Sequence, residues 1–192
     1  MKELLFFSNN QKKIIEINQL FKSSKIIVHN LNLFKAIKEP RETGKTFFDN
    51  AKIKSKYGLE KFSLPCFADD SGFCVDALKG RPGVISKRFF SNFSSKVKAF
   101  DYIISNAIKN KNYKAFFVTV ICLSIKKGHH IFFVGKINGK ISTEPKGNNG
   151  FGYDPIFIPD KSDKTFAEMS LKNKNKISHR MIAISKLKSF LL

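Results

Sequence analysis

The 192-residue sequence contains only three cysteines, and their arrangement argues against two common roles. Cys66, Cys74 and Cys122 are odd in number, lie in apolar surroundings and show no paired spacing. A disulfide framework and a zinc site are therefore poorly supported by the sequence. Buried free thiols are the expected state of all three.

The sequence also lacks a hydrophobic run long enough to cross a membrane. Its longest apolar stretches, such as 116–123, are far shorter than the roughly 20 residues that a membrane helix needs. The start of the sequence has no signal-peptide pattern, and no linker rich in Ser, Gly or Pro and no internal repeat divides the chain. We therefore expect a soluble cytoplasmic protein, without membrane contact, in which residues 1–192 form a single domain.

Arginine is scarce although the chain is strongly basic, with 35 Lys and Arg, 15 Asp and Glu, and a net charge of +20. Basic surface combined with aromatic rings is typical of nucleic-acid-binding proteins. Here, however, the lysines are scattered through every segment, and Lys, Asn, Ile and Phe, which share A/T-rich codons, are abundant together. Nucleotide bias explains this pattern better than a nucleic-acid groove, which favours clustered arginine. We therefore keep nucleic-acid binding as the alternative to the function that the sequence motifs below indicate.

The hydrophobic pattern predicts an α/β fold with a mixed sheet. The predicted strands lie near 3–7, 25–29, 65–68, 73–76, 115–125, 130–137 and 155–158, and the predicted helices near 11–22, 46–57, 95–109 and 178–190. The unbroken apolar run that begins at Phe116 is typical of a central strand buried on both faces.

A polar turn between the first strand and the first helix is a candidate phosphate site. Its residues are Ser8, Asn9, Asn10, Gln11, Lys12 and Lys13. Backbone amides at a helix N-terminus, the positive end of the helix dipole and a lysine favour an anion such as phosphate. The turn lacks the glycines of a Walker loop, so helix capping by Ser8 or Asn10 is an equally good interpretation.

Two adjacent aspartates, Asp69 and Asp70, precede Ser71 between short apolar segments, where we expect a turn. Adjacent carboxylates repel each other, so burial would raise the pKa of one of them, and a divalent cation would relieve the repulsion. A carboxylate beside a bound metal can orient or deprotonate water. Glu42, in the loop before a helix expected to begin near Thr46, is a second candidate metal ligand, and an ordinary solvated loop is equally compatible with it.

Two further segments are candidates for binding a nucleobase. Gly150, Phe151, Gly152, Tyr153 and Asp154 form a loop in which glycine allows close backbone approach and two rings offer stacking surface. The alternative is an ordinary surface turn. His179 and Arg180 follow Ser178, the expected cap of the last helix, where they are either hydrogen-bond donors to a ligand or a solvated pair.

At these positions the chain resembles the inosine triphosphate pyrophosphatases, which hydrolyse deaminated purine nucleoside triphosphates. The resemblance covers nearly the whole chain. The matching segments are 8–13, 42–51, 68–72, 75–78, 80–84, 150–157 and 177–180. The chain departs from the family pattern at Lys87, in place of a common alanine, at Ile85, where an aromatic is frequent, and at Arg41, where an acid is frequent.

The resemblance implies Mg²⁺-dependent cleavage of ITP, dITP or XTP between the α and β phosphates, releasing pyrophosphate and a monophosphate. Asp70 would be the proton acceptor and a metal ligand, with Asp69 as the alternative base. For Glu42, the candidate second metal ligand, Glu39 is the alternative, because Arg41 stands where the family frequently has an acid.

The resemblance also implies how the substrate is held. The phosphates would contact residues 8–13 and Lys174, the substrate would contact Ser71, and the base would be surrounded by Phe151, Gly152, Tyr153, Asp154, His179 and Arg180. The implied structure is a homodimer with a curved mixed sheet flanked by helices and a cleft between two lobes. A pyrophosphatase for other modified nucleotides is the alternative among enzymes.

Overall fold

A mixed sheet organises the chain in the computed structural model, which describes residues 2–22, 24–34 and 37–192. Its strands are β1 (Lys2–Phe6), β2 (Ile26–Asn30), β3 (Cys66–Val75), β4 (Pro82–Gly83), β5 (Lys114–Lys126), β6 (His129–Ile141) and β7 (Phe157–Pro159). Their order is β2-β1-β3-β5-β6-β7, and β4 pairs with β3. β1 runs parallel to both β2 and β3, whereas the β3–β4 and β6–β7 pairs are antiparallel. The predicted α/β class with a mixed sheet is confirmed.

The α-helices of the described residues are α1 (Gln11–Phe21), α2 (Phe47–Phe62), α3 (Ser86–Phe89), α4 (Lys96–Lys109), α5 (Leu171–Ile177) and α6 (His179–Leu191). The cap residues explain where the long helices begin. Thr46 and Asp49 form a reciprocal capping box at the start of α2, and Ser95 accepts the Lys98 amide at the start of α4. The four predicted helices are found near their expected bounds, while α3 and α5 were not predicted.

The described chain divides into two compact units. The first consists of the residues up to Asp70 together with Val120–Val134 and Ala183–Leu192. Leu4 and Phe6 of β1 join one buried cluster, which includes side chains of α1 and α6. Leu5 of β1 and Phe7, the residue after the strand, join another, which includes Cys66. Because side chains alternate along a strand, this division shows that β1 is buried on both faces.

The second unit consists of Ser71–Thr119 and Gly135–Ile182. Its core is rich in aromatic rings. Phe117, for example, contacts the rings of Phe73, Phe157 and Phe166, with centroids 4.7 Å, 4.9 Å and 5.9 Å away. Such tilted, edge-on and stacked contacts add to the stabilisation from burial.

The expected turn at Asp69 and Asp70 is wrong, because β3 continues through both residues. Their carboxylates have partners from other elements, Lys13 for Asp69 and Asn50 for Asp70, so the strand can bury them instead of turning toward water. The three cysteines are free and buried, as predicted. None of the helices in the described part of the chain combines the length and the apolar character needed to span a membrane.

Candidate functional site

Asp70 is a buried carboxylate in the middle of a strand, with only 6% of its surface exposed. One of its oxygens accepts a hydrogen bond of 3.1 Å from the side-chain amide of Asn50, which lies on α2. Burial raises the pKa of Asp70 to about 6, against the opposing effects of Lys54 and the Asn50 hydrogen bond, while nearby Glu42 raises it further. A carboxyl group that titrates close to neutral pH can accept a proton from water and later release it.

Asp69 is held differently from its neighbour. Its carboxylate lies 2.7 Å from the ammonium group of Lys13, which is in the first turn of α1. The structure therefore distinguishes the two aspartates. Asp69 holds a lysine of the predicted phosphate turn, whereas Asp70 accepts a hydrogen bond from Asn50 and has a raised pKa.

Lys54 is a charged residue of this site that the sequence analysis missed. It is 95% buried on α2, and its ammonium group lies 2.6 Å from a carboxylate oxygen of Glu42. Burial alone would lower the pKa of Lys54, but the charges of Asp69, Glu42 and Asp70 raise it above its ordinary value. Lys54 therefore stays protonated. The available signal was its spacing of four from Asn50, which places both side chains on one face of α2.

We call Glu42, Asp69 and Asp70, together with Lys13, Lys54 and Asn50, the carboxylate cluster. Among the described residues, no three His, Cys, Asp or Glu side chains form a group arranged to hold a metal ion. Mg²⁺, however, is commonly bound by one or two carboxylates together with substrate phosphates. Glu42 raises the pKa of Asp70 and so lies within its electrostatic reach. These two carboxylates fit a cation that a phosphate helps to bind.

Five backbone amides of the turn at residues 8–13 are paired, and that of Ser8 donates to the carbonyl of Phe6 at 3.2 Å. The side-chain oxygen of Asn10 accepts from Lys12 and Lys13, so helix capping by Asn10 is confirmed. Ser8 Oγ accepts from the Asn10 amide at 3.2 Å. The amide of Asn9 donates to the carboxylate of Glu39 at 2.7 Å, which places the alternative metal ligand at this turn.

The side chain of Gln11 points to a different partner. Gln11 and Asn32 exchange two side-chain hydrogen bonds, of 3.0 Å and 3.2 Å. This pair connects α1 to the short helical turn after β2.

Asp154 organises the glycine loop in the second unit. Its buried carboxylate accepts the Phe151 amide at 2.7 Å and pairs with the ammonium group of Lys174 at 2.5 Å. Burial raises the pKa of Asp154, and Lys174, the Phe151 amide and Arg180 oppose that rise. Gly150 has a φ of +76°, and a methyl group there would collide with the Asp154 carboxylate. Only glycine fits this position without displacing Asp154.

Two cations lie over the ring of Phe151. Lys174 Nζ is 4.9 Å and the Arg180 guanidinium carbon is 5.6 Å from the ring centroid, both within the range of cation–π attraction. The structure thus groups Lys174 with the glycine loop, whereas the sequence-based expectation placed it at the phosphates. We call Phe151, Asp154, Lys174, His179 and Arg180 the loop cluster.

His179 and Arg180 are both buried, so a solvated pair at the start of α6 is the wrong interpretation. The His179 ring stacks on Phe117, with a centroid distance of 4.7 Å and an interplanar angle of 9°. Ser178 accepts the Met181 amide at 3.3 Å, which confirms it as the cap of α6.

Tyr153 lies in the aromatic core, not on the surface of the loop. Its ring is stacked between Phe73, at 4.9 Å, and Phe90, at 4.5 Å, and its hydroxyl donates to the carbonyl of Ser86 at 2.7 Å. Both faces of the ring are covered, so the expectation that Tyr153 stacks on a base is corrected. Its partners are distant in sequence, and no local pattern marks them.

Ser71 and Gly152, the remaining predicted site residues, differ in their surroundings. Ser71 Oγ shares a hydrogen bond of 2.7 Å with Thr119 Oγ1. Gly152 has a φ of +64°, and a methyl group there would meet no described atom within 4 Å.

The chain matches the model of a known protein family over nearly its whole length. The model of the Ham1 family matches residues 4–190. A protein of Flavobacterium johnsoniae described as a dITP/XTP pyrophosphatase is 40% identical over 185 residues, which is 96% of this chain and 95% of the relative. A Porphyromonas gingivalis protein with the same description is 40% identical over 195 residues, covering 100% of this chain and 98% of the relative.

Solved structures give the same result. The Staphylococcus aureus Ham1 protein is 36% identical with a TM-score of 0.86, and the match covers 99% of this chain and 98% of that one. A HAM1 protein from Coxiella burnetii is 33% identical with a TM-score of 0.90, over 100% of this chain and 98% of that one.

Proposed function

The chain belongs to the Ham1 family, and we propose that it hydrolyses deaminated purine nucleoside triphosphates, namely ITP, dITP and XTP, to the monophosphate and pyrophosphate. The observation that carries this proposal is the carboxylate cluster, in which a buried aspartate with a pKa of about 6 lies among cationic side chains. The relatives described as dITP/XTP pyrophosphatases support the choice of substrate. Such an enzyme removes damaged nucleotides from the cellular pool.

Asp70 is assigned as the general base for the attacking water. At pH 7 and above its carboxylate is mostly ionised, so it can orient a water molecule and take its proton as the oxygen attacks the α phosphorus. The bond between the α phosphorus and the bridging oxygen breaks, and pyrophosphate leaves with the bonding electrons. Lys13 and Lys54 are assigned to the phosphates, because their positive charges stabilise the charge that develops on pyrophosphate.

Glu42 and Asp70 are the residues that we assign to Mg²⁺. When bound, the cation would neutralise charge on the phosphate oxygens. The repulsion between the two carboxylates, seen in the effect of Glu42 on the pKa of Asp70, is the feature that favours a cation there.

Base recognition is assigned to the loop cluster. Hypoxanthine and xanthine carry an oxygen acceptor at position 6, where adenine carries an amino donor. Lys174, His179 and Arg180 are donors or can act as donors, so adenine would oppose a donor with a donor. Such a mismatch typically lowers the rate by about one to two decades for each buried hydrogen bond that is lost. Phe151, which carries cations over its ring, is the stacking candidate of this cluster.

We also propose that residues 1–192 act as one catalytic domain, in a cytoplasmic homodimer. The family match over residues 4–190 supports the single domain. The resemblance to the pyrophosphatase family supports the dimer and the compartment.

The test is pyrophosphate release from ITP, XTP, dITP, ATP and GTP in the presence of Mg²⁺, with a chelator control and Asp70→Asn as the matched inactive variant. Metal-dependent release from ITP, dITP and XTP, much faster than from ATP and GTP, is expected. Release from none of these nucleotides would reject the proposal. Release only from another class of modified nucleotide would keep the chemistry and replace the substrate.

A further inference from the structure

The turn at residues 8–13 holds an anion of the protein itself. The paired amides of Asn10, Lys12 and Lys13 donate to side-chain oxygens within the turn. The amide of Asn9 donates instead to the carboxylate of Glu39, 30 residues away, at 2.7 Å. Asn9 directly precedes Asn10, the N-cap of α1, so its amide lies beside the positive end of the helix dipole, which favours a carboxylate as it favours a phosphate oxygen.

Glu39 belongs to a segment that is attached to the carboxylate cluster at its other end. We call residues 37–44 the strap. At one end the Asn9 side-chain amide donates to the carbonyl of Ile37 at 3.1 Å. At the other end Glu42 pairs with Lys54, and the Gly44 amide donates to the side-chain oxygen of Asn50 at 2.8 Å. The strap therefore brings two carboxylates to groups that we assign to the substrate phosphates.

We propose that Glu39 is an affinity-determining residue that competes with substrate phosphate for the Asn9 amide. This inference rests on the proposed function, because it requires phosphate to bind at the turn. One N–H group makes one strong hydrogen bond, so a phosphate oxygen can use the Asn9 amide only after the Glu39 carboxylate leaves. A phosphate and the Glu39 carboxylate at the same amide would also repel each other, so they do not bind the turn together.

The size of the effect follows from the fraction of molecules in which Glu39 is bound to the Asn9 amide. A phosphate that binds only when Glu39 has left this amide has its affinity reduced in proportion to the fraction of molecules in that open state. For a partly exposed charge-assisted hydrogen bond, we expect removal of the competitor to tighten phosphate binding roughly three- to tenfold. The rate of the chemical step should change little, because Glu39 does not contact the reacting atoms in this assignment.

The competing explanation is that Glu39 only positions the turn. The two explanations predict opposite signs. If Glu39 merely holds the Asn9 backbone in place, its removal loosens the turn and weakens phosphate binding. If Glu39 competes, both Glu39→Gln and Glu39→Ala strengthen phosphate binding.

The experiment is a calorimetric titration of the wild type, Glu39→Gln and Glu39→Ala with inorganic pyrophosphate in the presence of a chelator, so that metal binding does not contribute. Glu60→Gln is the matched control, because it removes one negative charge from an exposed position on α2. Glu39→Gln and Glu39→Ala should bind pyrophosphate roughly three- to tenfold more tightly than Glu60→Gln. Their KM for ITP should fall with kcat nearly unchanged.

A second readout follows the amide itself. In the wild type, the nuclear magnetic resonance signal of the Asn9 amide should shift on addition of pyrophosphate, and in Glu39→Gln it should be shifted before pyrophosphate is added.

Several results would overturn the inference. Pyrophosphate affinity and KM in Glu39→Gln equal to those of Glu60→Gln, in an enzyme that hydrolyses ITP, would reject competition by Glu39 and leave the proposed function standing. Weaker pyrophosphate binding by Glu39→Ala would assign Glu39 a positioning role. Absence of both pyrophosphate binding and ITP hydrolysis in every variant would reject the proposed function together with the inference.

Discussion

Replacing Asp70 with asparagine should stabilise the folded protein while it removes catalysis. Burial raises the pKa of Asp70 from 3.8 to about 6. The difference of about two pH units, at about 1.4 kcal/mol each, means that ionising Asp70 in the folded protein costs about 3 kcal/mol. Asparagine has nearly the shape of protonated aspartate and can still accept the hydrogen bond from Asn50.

The pH dependence of this gain has a definite sign. Because the folded pKa lies above the unfolded one, the folded state binds more protons than the unfolded state between about pH 4 and pH 6. The destabilising effect of Asp70 therefore grows as the pH rises through this window, and it is complete above it. Asp70→Asn should be more stable than the wild type at pH 7.5, and the difference should nearly vanish at pH 4.

The assay is thermal unfolding of both proteins in chelator at pH 7.5 and pH 4. A gain of roughly 1–3 kcal/mol corresponds to a rise in Tm of about 2–12 °C for a chain of this size. Asp101→Asn, at an exposed position on α4, is the control and should stay within about 0.5 kcal/mol of the wild type. A lower Tm for Asp70→Asn at pH 7.5, or an equal difference at both pH values, would refute the assignment of a raised pKa to Asp70.

Three further substitutions test individual contacts. Gly150→Ala should raise the KM for ITP far more than Gly152→Ala, because both glycines have positive φ but the methyl group at 150 would collide with Asp154; steady-state kinetics of the two variants measure this. Tyr153→Phe should lose about 1 kcal/mol of stability in urea unfolding and keep its KM for ITP, because the lost hydroxyl makes one buried hydrogen bond. Lys54→Met should move the acidic limb of the kcat/KM profile to higher pH, because Lys54 is the strongest group that lowers the pKa of Asp70.

Each of these expectations has a contrary result. Equal effects of the two glycine substitutions would assign the loss to backbone strain and not to Asp154. A large increase of KM in Tyr153→Phe would indicate contact between the hydroxyl and substrate. An unshifted acidic limb in Lys54→Met, in a variant that retains measurable turnover, would separate Lys54 from the titration of Asp70.

Hydrophobic periodicity predicted the regular elements of this fold because it reflects which face of each element is buried. β1, α1 and β5 lie within one or two residues of their expected bounds. The prediction of a turn at Asp69 and Asp70 was wrong for a different reason. Lys13 and Asn50 are 56 and 20 residues away from the aspartates that they contact, and a local pattern does not contain such partners.

Contacts between residues distant in sequence also explain what the sequence did not predict in the candidate site. Lys54 was missed because lysine is rarely buried, and its burial here depends on three carboxylates from two other segments. Tyr153 was misplaced because a ring beside glycines looks the same in sequence whether it faces a ligand or the core. The motifs located the segments correctly, but the direction of each side chain required the tertiary structure.

The electrostatics of the carboxylate cluster connect its stability to its proposed chemistry. Lys13 pairs with Asp69, and Lys54 pairs with Glu42 while also attracting Asp70. Three buried or half-buried carboxylates thus lie among two ammonium groups. Burial is the largest cause of the raised pKa of Asp70, Glu42 adds to it, and Lys54 and Lys13 oppose it. The excess of carboxylates over ammonium groups would favour a divalent cation at Asp70. The destabilisation that Asp70→Asn should relieve and the basicity that catalysis needs therefore have a single physical origin, namely a carboxylate buried with less positive charge than it requires.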